Sequence, residues 1–179
     1  MKIIFTGAQG TGKTTILNHY KEQGYNTITE VVRKLSEEGV KINEMGDLKG
    51  QQKIFNEYNK LLNKKESYIS DRGLTDVAAY TLYLGRKNDD MKLLIETIYQ
   101  LVDISVFYKS NPDIITCYFP IEFPITADGV RSMDEEFRTE IDKNIKNSLE
   151  GLGIQYHTIT GTVEERIKQI DKIIQDVTL

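Results

Sequence analysis

The sequence is poor in the features that mark secreted, membrane-spanning and nucleic-acid-coating proteins. Its one cysteine, Cys117, cannot form an internal disulfide, and no run of about 18 apolar residues predicts a transmembrane helix. The net charge is −4, so a broad surface for nucleic acid is not favoured. Met1 leads directly into a strand-like segment, which gives no indication of a signal peptide. Together these absences predict a protein of the reducing cytoplasm with no membrane partner.

Metal-binding patterns and domain boundaries are equally scarce. The two histidines, His19 and His157, are far apart, and neither lies in a cluster with cysteine or carboxylates that would predict a zinc site. No linker, repeat or low-complexity segment divides the chain. The length of 179 residues therefore predicts a single domain over residues 1–179.

Short apolar segments alternate along the chain with segments of helical periodicity. The predicted strands are residues 2–6, 26–30, 67–70, 113–119 and 155–159. The predicted helices are residues 13–23, 31–38, 48–65, 75–84, 133–149 and 162–176. Gly85 is expected to end the fourth helix, and Ser132/Glu135 and Thr162/Glu165 have the spacing of capping boxes. Residues 91–108 fit a helix by spacing and a strand by β-branched content, and we choose a helix.

This alternation predicts an α/β fold, in which a mainly parallel five-stranded sheet lies between two layers of helices. In such a three-layer α/β/α arrangement, ligands bind beyond the carboxyl ends of the strands. Residues that follow directly after predicted strands are therefore the first candidates for a functional site.

A glycine-rich segment follows the first predicted strand and opens the first predicted helix. It matches G-x-x-x-x-G-K-[ST] and comprises Gly7, Ala8, Gln9, Gly10, Thr11, Gly12, Lys13 and Thr14, followed by Thr15. Small residues let backbone N–H groups surround phosphate oxygens, and the helix N-terminus adds positive potential. Lys13 is expected at the β- and γ-phosphates and the Thr14 hydroxyl at Mg²⁺. The segment predicts a P-loop that binds ATP, or a similar nucleoside triphosphate, with Mg²⁺.

Charged residues follow two further predicted strands. Asp71 is expected to hold Mg²⁺ through water or to accept a proton, and Arg72 to bind a phosphate or substrate oxygen through its planar guanidinium. Glu30 and Arg33 end the second strand, where Glu30 could bind a substrate hydroxyl or act as a base and Arg33 could bind the acceptor. Either pair could instead mark an ordinary helix start on the surface.

Residues 120–138 form a candidate lid region. It contains Asp128, Arg131 and Arg138, and arginines that close over phosphates suit phosphoryl transfer. The alternative is a solvated charged helix, on which Arg131 and Arg138 would share a face. Tyr80 is the preferred residue for stacking on a nucleobase, although tyrosines at helical spacing more often belong to a core.

In combination, these segments resemble the small AAA-type P-loop kinases of the NadR, or ribosylnicotinamide kinase-like, type, which are related to thymidylate and deoxynucleoside kinases. The resemblance covers nearly the whole chain. It is carried by the P-loop, Glu30-x-x-Arg33, residues 69–76 with Ala79-Tyr80, residues 118–120 and Asp128-Gly129-Val130-Arg131. It implies a kinase of nucleotide metabolism in the cytoplasm of a bacterium or of a phage-infected host, with Arg131 and Arg138 in a lid. The chain departs from many of these kinases in having Glu-x-x-Arg, rather than Glu-Pro, after the second strand.

The expected activity is transfer of the γ-phosphoryl group of ATP to a nucleoside or nucleotide. The expected catalytic residues are Lys13, Glu30, Asp71, Arg72 and Arg131. A nucleoside monophosphate acceptor is slightly preferred over a nucleoside such as ribosylnicotinamide, because the sequence offers several candidate arginines. A polynucleotide 5′ end or a modified base comes third, and the pI of about 5.3 gives it little support. A regulatory ATPase or GTPase switch is the competitor from another class. The choice between ATP and GTP and the formation of a homodimer are left open.

Overall fold

The computed structural model describes residues 1–124 and 133–178, and the strands within these ranges form one parallel sheet. The strands are β1 (Lys2–Thr6), β2 (Thr27–Ile28), β3 (Tyr68–Ser70), β4 (Ile114–Tyr118) and β5 (His157–Thr158). Their order is β2-β3-β1-β4-β5, and every neighbouring pair is parallel. The predicted five-stranded sheet is confirmed, with β1 at its centre.

Seven α-helices of the described residues connect and cover these strands. They are α1 (Lys13–Glu22), α2 (Val31–Glu37), α3 (Leu48–Leu62), α4 (Leu74–Lys87), α5 (Met91–Ser110), α6 (Glu135–Gly151) and α7 (Val163–Thr178). The helix chosen for residues 91–108 is confirmed as α5. No helix in the described ranges combines the length and the apolar character needed to span a membrane.

The alternation of side chains along β1 explains the layers. Ile3 and Phe5 point to one face of the sheet, where they pack with residues of α1 and α7 such as Leu17 and Ile170. Ile4 points to the other face and belongs to the larger core formed with α2, α3, α4, α5 and α6. Two cores, one on each face, give the predicted three-layer α/β/α arrangement.

Helix α4 differs from the sequence prediction, because it continues through Gly85 rather than ending there. A Cβ at position 85 would lie 2.8 Å from Cδ2 of Leu94 on α5. Gly85 therefore serves close packing between two helices, and the tertiary contact outweighs the usual cost of a glycine inside a helix.

Smaller differences concern the ends of elements. Strands β2 and β5 have two residues each, where five were predicted. Helix α6 begins at Glu135 with Asp134 as its N-cap, and Ser132 of the predicted capping box lies outside the described residues. The second predicted capping box is confirmed, since the backbone N–H of Thr162 donates to Glu165 and the N–H of Glu165 donates to the Thr162 hydroxyl.

Candidate active site

A cleft of about 360 Å³ opens beyond the carboxyl ends of the central strands. The P-loop forms one side, and residues that follow β2 and β3 form the other. Its lining includes the P-loop residues 9–15 and the polar residues Glu30, Arg33, Asn43, Tyr58, Asp71 and Arg72. The sequence-predicted residues from three separated segments thus meet in one cavity, as expected for a parallel sheet.

Lys13 is almost fully buried within the P-loop. Its Nζ donates to the carbonyl oxygens of Gly7 at 2.7 Å and Ala8 at 2.6 Å, and to Oγ1 of Thr11 at 3.1 Å. Burial lowers the pKa of Lys13 from 10.5 to about 7, and the positive charge of Arg72 acts in the same direction. An anionic ligand in the cleft would favour the charged form of this lysine.

Two arginines from distant helices bind the remaining carbonyl groups of the loop. Arg138 of α6 donates from Nε to the Gln9 oxygen at 2.9 Å and from Nη2 to the Gly10 oxygen at 3.2 Å. Arg166 of α7 donates from Nη1 to the Thr11 oxygen at 2.5 Å. The five successive carbonyls from residue 7 to residue 11 therefore all accept hydrogen bonds from cationic side chains.

This arrangement places Arg138 differently from the expectation for a lid residue. Its side chain is fully buried and does not line the cleft. Besides the P-loop, it contacts the Phe123 carbonyl at 2.8 Å and the Glu135 carboxylate at 3.2 Å. With its donors held by these groups, Arg138 supports the shape of the P-loop and is not placed to bind a substrate phosphate.

Asp76 is a second support of the loop. Its carboxylate accepts hydrogen bonds from the Thr6 hydroxyl at 2.7 Å, the Gly7 N–H at 3.2 Å and the Gly73 N–H at 2.8 Å. The residue is fully buried in the first turn of α4, and burial raises the pKa of its carboxyl group. Asp76 thus joins the start of the P-loop to the segment that carries Asp71 and Arg72.

Asp71 lies directly after β3 at the wall of the cleft. Its Oδ2 accepts a hydrogen bond from the Thr29 hydroxyl at 2.8 Å, whereas its buried Oδ1 has no hydrogen-bond partner among the described residues. Burial raises the pKa of the Asp71 carboxyl group, although Arg72 and Thr29 act in the opposite direction. An acceptor oxygen of this kind can bind a hydrated cation or take a proton from a hydroxyl.

Arg72 lines both the cleft and a smaller apolar extension of it. Its guanidinium lies 5.6 Å from the centre of the Tyr80 ring, at a cation–π distance. Although burial opposes its charge, the neighbouring Tyr80, Tyr58, Asp76 and Asp71 raise its pKa, so the side chain stays protonated. Arg72 is a fixed positive charge between the P-loop and the extension.

Glu30 and Arg33 stand at the opposite rim and are partly exposed. Nε of Arg33 lies 2.9 Å from Oε2 of Glu30. Glu30 has a left-handed backbone, with φ of 61° and ψ of 13°, at the junction between β2 and α2. A non-glycine residue in this region costs roughly 1–3 kcal/mol, and such strain is common at ligand-binding sites.

The extension of the cleft has a volume of about 30 Å³ and is lined by Val32, Ile42, Asn43, Gln51, Ile54, Arg72, Val77 and Tyr80. Tyr80 is only 8% exposed, so it is part of the core, and it also lines this extension. Gln51, which sequence reasoning did not select, is buried, and its Oε1 accepts a hydrogen bond from the Thr81 hydroxyl at 3.2 Å. The extension therefore combines apolar walls with a buried amide.

Two expected site residues, Asp128 and Arg131, lie outside the described residues, as does most of the loop in the candidate lid region 120–138. Within the described part of the chain, no group of three histidine, cysteine or carboxylate side chains could hold a metal ion. The expected Mg²⁺ ligands, Thr14 and Asp71, both line the cleft.

Three residues that matter here were missed by sequence reasoning, and their signals differ. Asp76 occupies the third helical position after Gly73, where an acidic residue can accept the N-cap N–H, so spacing alone could have indicated it. Gln51 and Arg166 fall within ordinary amphipathic helices. Their burial follows from tertiary packing, which no local pattern reveals.

Comparison with known proteins agrees with this geometry. A family model described as an AAA domain matches residues 2–166. Among curated proteins, none matches the sequence.

Several solved structures share the fold. Deoxyadenosine kinase from M. mycoides, with the products dCMP and dCDP bound, has a TM-score of 0.70 at 20% identity, covering 99% of this chain and 100% of its own. NadR in complex with NR has a TM-score of 0.69 at 19% identity, and the match covers 99% of this chain and 52% of NadR. Thymidylate kinase from Candida albicans has a TM-score of 0.57 at 19% identity, covering 97% and 90%.

All three are similar to this chain in fold, and at these identities the likeness concerns the fold alone. The matched family model spans most of the chain, from the first strand into the last helix, and includes the P-loop, Asp71-Arg72 and Glu30-x-x-Arg33. The chain therefore belongs to this AAA-domain family and has the fold of small P-loop kinases.

Proposed function

We propose that this protein is an ATP-dependent kinase that transfers the γ-phosphoryl group to a hydroxyl of a nucleoside. The observation that carries the proposal is the meeting of two chemically different halves in one cleft. One half is a P-loop whose lysine is buried with a lowered pKa. The other half offers a carboxylate oxygen of Asp71 that has no partner among the described residues, beside the fixed charge of Arg72.

The P-loop half fits a triphosphate. Side chains bind the carbonyls of residues 7–11 and so fix the shape of the loop. Backbone N–H groups of such a loop would donate to the phosphate oxygens. Lys13 would move its ammonium group from the Gly7 and Ala8 oxygens to the β- and γ-phosphates. The Thr14 hydroxyl would help to hold Mg²⁺, which would supply positive charge to offset the charge on the phosphates.

The acceptor half suits a neutral hydroxyl better than a second phosphate. Arg138 is held by P-loop carbonyls, and Arg33 is paired with Glu30, so Arg72 is the main cation left near the acceptor among the described residues. Two carboxylates, Asp71 and Glu30, line the same region and would repel a phosphate dianion. A carboxylate can instead assist a hydroxyl nucleophile by accepting its proton. The sequence-based preference for a monophosphate acceptor depended on the number of arginines near the acceptor. That number is smaller among the described residues, because Arg138 is held by the P-loop.

The apolar extension supports a nucleoside as the carrier of this hydroxyl. Val32, Ile54 and Val77 supply apolar contacts, and Tyr80 supplies an aromatic edge. The buried Gln51 amide could read the hydrogen-bonding edge of a base. A base would occupy this extension together with the adjoining part of the main cleft.

Arg72 and Arg33 keep a nucleoside monophosphate kinase as the second candidate, because both guanidinium groups line the acceptor side of the cleft. In that case a phosphate would displace Glu30 from Arg33 and bind bidentately to the two arginines.

The test is ATP turnover in the presence of separate acceptors: a panel of nucleosides, their monophosphates and a 5′-hydroxyl oligonucleotide. We expect nucleosides to stimulate ADP release, with the phosphorylated nucleoside identified by mass spectrometry and by phosphorus NMR. Lys13→Ala is the matched control that shows whether turnover belongs to this cleft. Stimulation by monophosphates alone would transfer the proposal to the second candidate. If none of these acceptors changes the rate of ATP turnover, the kinase hypothesis is wrong and an ATPase switch is favoured.

A further inference from the structure

Arg166 is a buried cation with few hydrogen-bond partners. Its Nη1 donates to the Thr11 carbonyl oxygen, and its Nη2 donates to Oε2 of Glu122. The guanidinium carbon lies 5.5 Å from the centre of the Phe119 ring and 4.9 Å from the centre of the Phe123 ring. Its Nε has no hydrogen-bond partner among the described residues. Because a buried charge without a counter-charge is costly, the orientation of Arg166 depends on Glu122.

Glu122 also joins segments that follow three neighbouring strands of the sheet. The P-loop follows β1, Glu122 itself comes shortly after β4, and Gly161 comes shortly after β5. The backbone N–H of Gly161 donates to the Glu122 carboxylate, at 3.0 Å from Oε2 and 3.3 Å from Oε1. The pair of Glu122 and Arg166 therefore ties the carboxyl ends of β1, β4 and β5 together beneath the P-loop.

Arg138, the other arginine that binds the P-loop, depends much less on its carboxylate. Three backbone carbonyl oxygens accept hydrogen bonds from it in addition to Glu135. The Glu135 side chain is 54% exposed, whereas that of Glu122 is 29% exposed. An exposed ion pair contributes little. If both glutamates lost their charge, Arg138 would keep three acceptors, whereas Arg166 would keep the Thr11 carbonyl and an uncharged partner.

The carbonyl that Arg166 holds belongs to a peptide unit of the phosphate site. The Thr11 C=O and the Gly12 N–H lie in one planar trans peptide, so they point in opposite directions. Gly12 lines the cleft and Arg166 does not. With Arg166 on the carbonyl side, the Gly12 N–H is directed to the side of the cleft, where it could donate to a phosphate oxygen.

We propose that Glu122 is a positioning residue for the nucleotide. By holding Arg166 against the Thr11 carbonyl, it fixes the direction of the Gly12 N–H. Glu122 does not line the cleft, so it acts through Arg166 and makes no contact with the ligand. The inference rests on the proposed function only in taking the ligand of the P-loop to be a triphosphate.

The first test is Glu122→Gln, which keeps the size of the side chain and removes its charge. We expect the Kd for ATP, measured by calorimetry with Mg²⁺, to rise about tenfold, because a charge-assisted hydrogen bond to Arg166 is weakened. In the proposed reaction, kcat at saturating ATP should stay within about twofold, since the groups assigned to the chemistry are unchanged. Glu135→Gln is the matched control and should raise the Kd by less than about threefold.

Inorganic tripolyphosphate separates the P-loop from the neighbouring Phe123, which also lines the cleft. It carries the phosphates of ATP without the base or the sugar. We expect Glu122→Gln to weaken the binding of tripolyphosphate and of ATP by the same factor. A loss that is confined to ATP would assign the effect to the Phe123 ring and would overturn the proposal.

A double-variant experiment tests whether Glu122 acts through Arg166. In an Arg166→Gln background, Glu122→Gln should cause no further rise in the Kd for ATP, because the residue that it orients is absent. Equal and independent effects of the two changes would contradict this route. Thermal unfolding of each variant shows whether the fold is intact.

Two outcomes distinguish the failure of this inference from the failure of the proposed function. A wild-type chain that binds neither ATP nor tripolyphosphate would contradict both. A wild-type chain that binds both ligands, with the same Kd values in Glu122→Gln, would contradict the role of Glu122 alone. A lower unfolding temperature in Glu122→Gln without a change in either Kd would likewise reduce Glu122 to a residue that stabilises the fold.

Discussion

The two sides of the cleft are stabilised in different ways. On the P-loop side, Lys13, Arg138 and Arg166 bind five successive carbonyl groups, and Asp76 binds the start of the loop. On the acceptor side, Asp71 has a carboxylate oxygen without a partner among the described residues. Glu30 there has a strained backbone and an exposed ion pair.

This difference indicates a division of roles. The P-loop has its shape before any ligand binds, because its polar backbone groups on one side are already satisfied by the protein. The acceptor side keeps polar groups and strain that a substrate can relieve, so its ligand contributes to its final arrangement. Changes on the P-loop side should therefore affect both structure and nucleotide binding, whereas changes on the acceptor side should affect catalysis with little effect on the fold.

The largest expected effect is that of Lys13→Ala, which removes the one cation that belongs to both the loop and its ligand. We expect kcat to fall by about 10³-fold or more, because charge on the transferred phosphoryl group loses its closest protein partner. Steady-state kinetics measure this fall, and calorimetry measures the unfolding temperature, which should fall as well because the Gly7 and Ala8 carbonyls lose their donor.

Lys53→Ala is the control for this variant, since Lys53 pairs with Glu38 on the surface and lies outside the cleft. A Lys13→Ala protein with kcat within about tenfold of the wild type would contradict the placement of the γ-phosphate at this lysine.

On the acceptor side, Asp71→Asn should lower kcat by about 10²- to 10⁴-fold while the Kd for ATP changes little. The amide cannot accept the proton of a hydroxyl, and it keeps the shape of the carboxylate and its bond to Thr29. Kinetics and nucleotide-binding calorimetry of the same preparation separate the two effects. Glu30→Gln should be measured in parallel, because a larger loss in that variant would assign the base to Glu30 and leave Asp71 with the metal.

Conservative changes to the supporting arginines test whether the loop is held as a unit. Arg138→Lys should raise the KM for ATP by about tenfold and speed hydrogen exchange of the P-loop amides, because a lysine cannot reach the Gln9 and Gly10 carbonyls with fixed geometry. Arg166→Lys should act in the same direction through Thr11. Arg86→Lys, whose guanidinium contacts Asn144 away from the loop, should leave both measurements unchanged. A drop in kcat for Arg138→Lys without a change in KM would instead support a role at the reacting phosphate.

The smallest effect concerns pH. Because the pKa of Lys13 is about 7 in the folded protein, this lysine is largely neutral at pH 8. The negative charge of a bound triphosphate would raise this pKa, so the lysine would take up a proton from solvent. ATP binding should take up close to one proton at pH 8, and its Kd should rise about fivefold between pH 7 and pH 8. Titration calorimetry in two buffers of different ionisation enthalpy measures the uptake, which should disappear in Lys13→Ala.

The same pKa has a consequence for stability. The unfolded chain binds more protons at Lys13 than the folded chain between pH 7 and its ordinary pKa of 10.5. The free energy of unfolding should therefore gain a contribution that increases with pH across this window. A contribution that decreases with pH would mean that the lysine is stabilised in its charged form by the fold.

The features that sequence predicted well are those set by local pattern. The P-loop, the alternation of strands and helices and the Thr162/Glu165 capping box depend on spacing within a few residues. Glu30, Asp71 and Lys13 lie in one cavity because each follows a strand of the parallel sheet, and the carboxyl ends of parallel strands share one edge.

The features that sequence could not give depend on contacts between distant segments. Gly85 has the signature of a helix end, yet its neighbour Leu94 on α5 makes it an interior packing residue. Arg138 has the signature of a lid arginine, yet the carbonyls of Gln9 and Gly10, more than 120 residues earlier, hold it in the interior. A glycine can end a helix or pack inside it, and an arginine can bind a substrate or support a loop. Only the contacts with distant segments decide which role each residue has.

The first glycine of the P-loop is needed for the fold, whereas the lysine of the P-loop is needed for the reaction. Gly7 has φ of 142°, and a Cβ there would overlap the carbonyl group of Phe119, the residue directly after β4. Its requirement thus comes from the neighbouring strand and would persist in a descendant of this chain that no longer bound a nucleotide. Lys13, in contrast, donates hydrogen bonds only to residues of the loop itself, namely Gly7, Ala8 and Thr11. A related protein that has Gly7 but lacks Lys13 should keep the sheet and lack the kinase activity. These two positions together therefore distinguish an inactive relative from an active one.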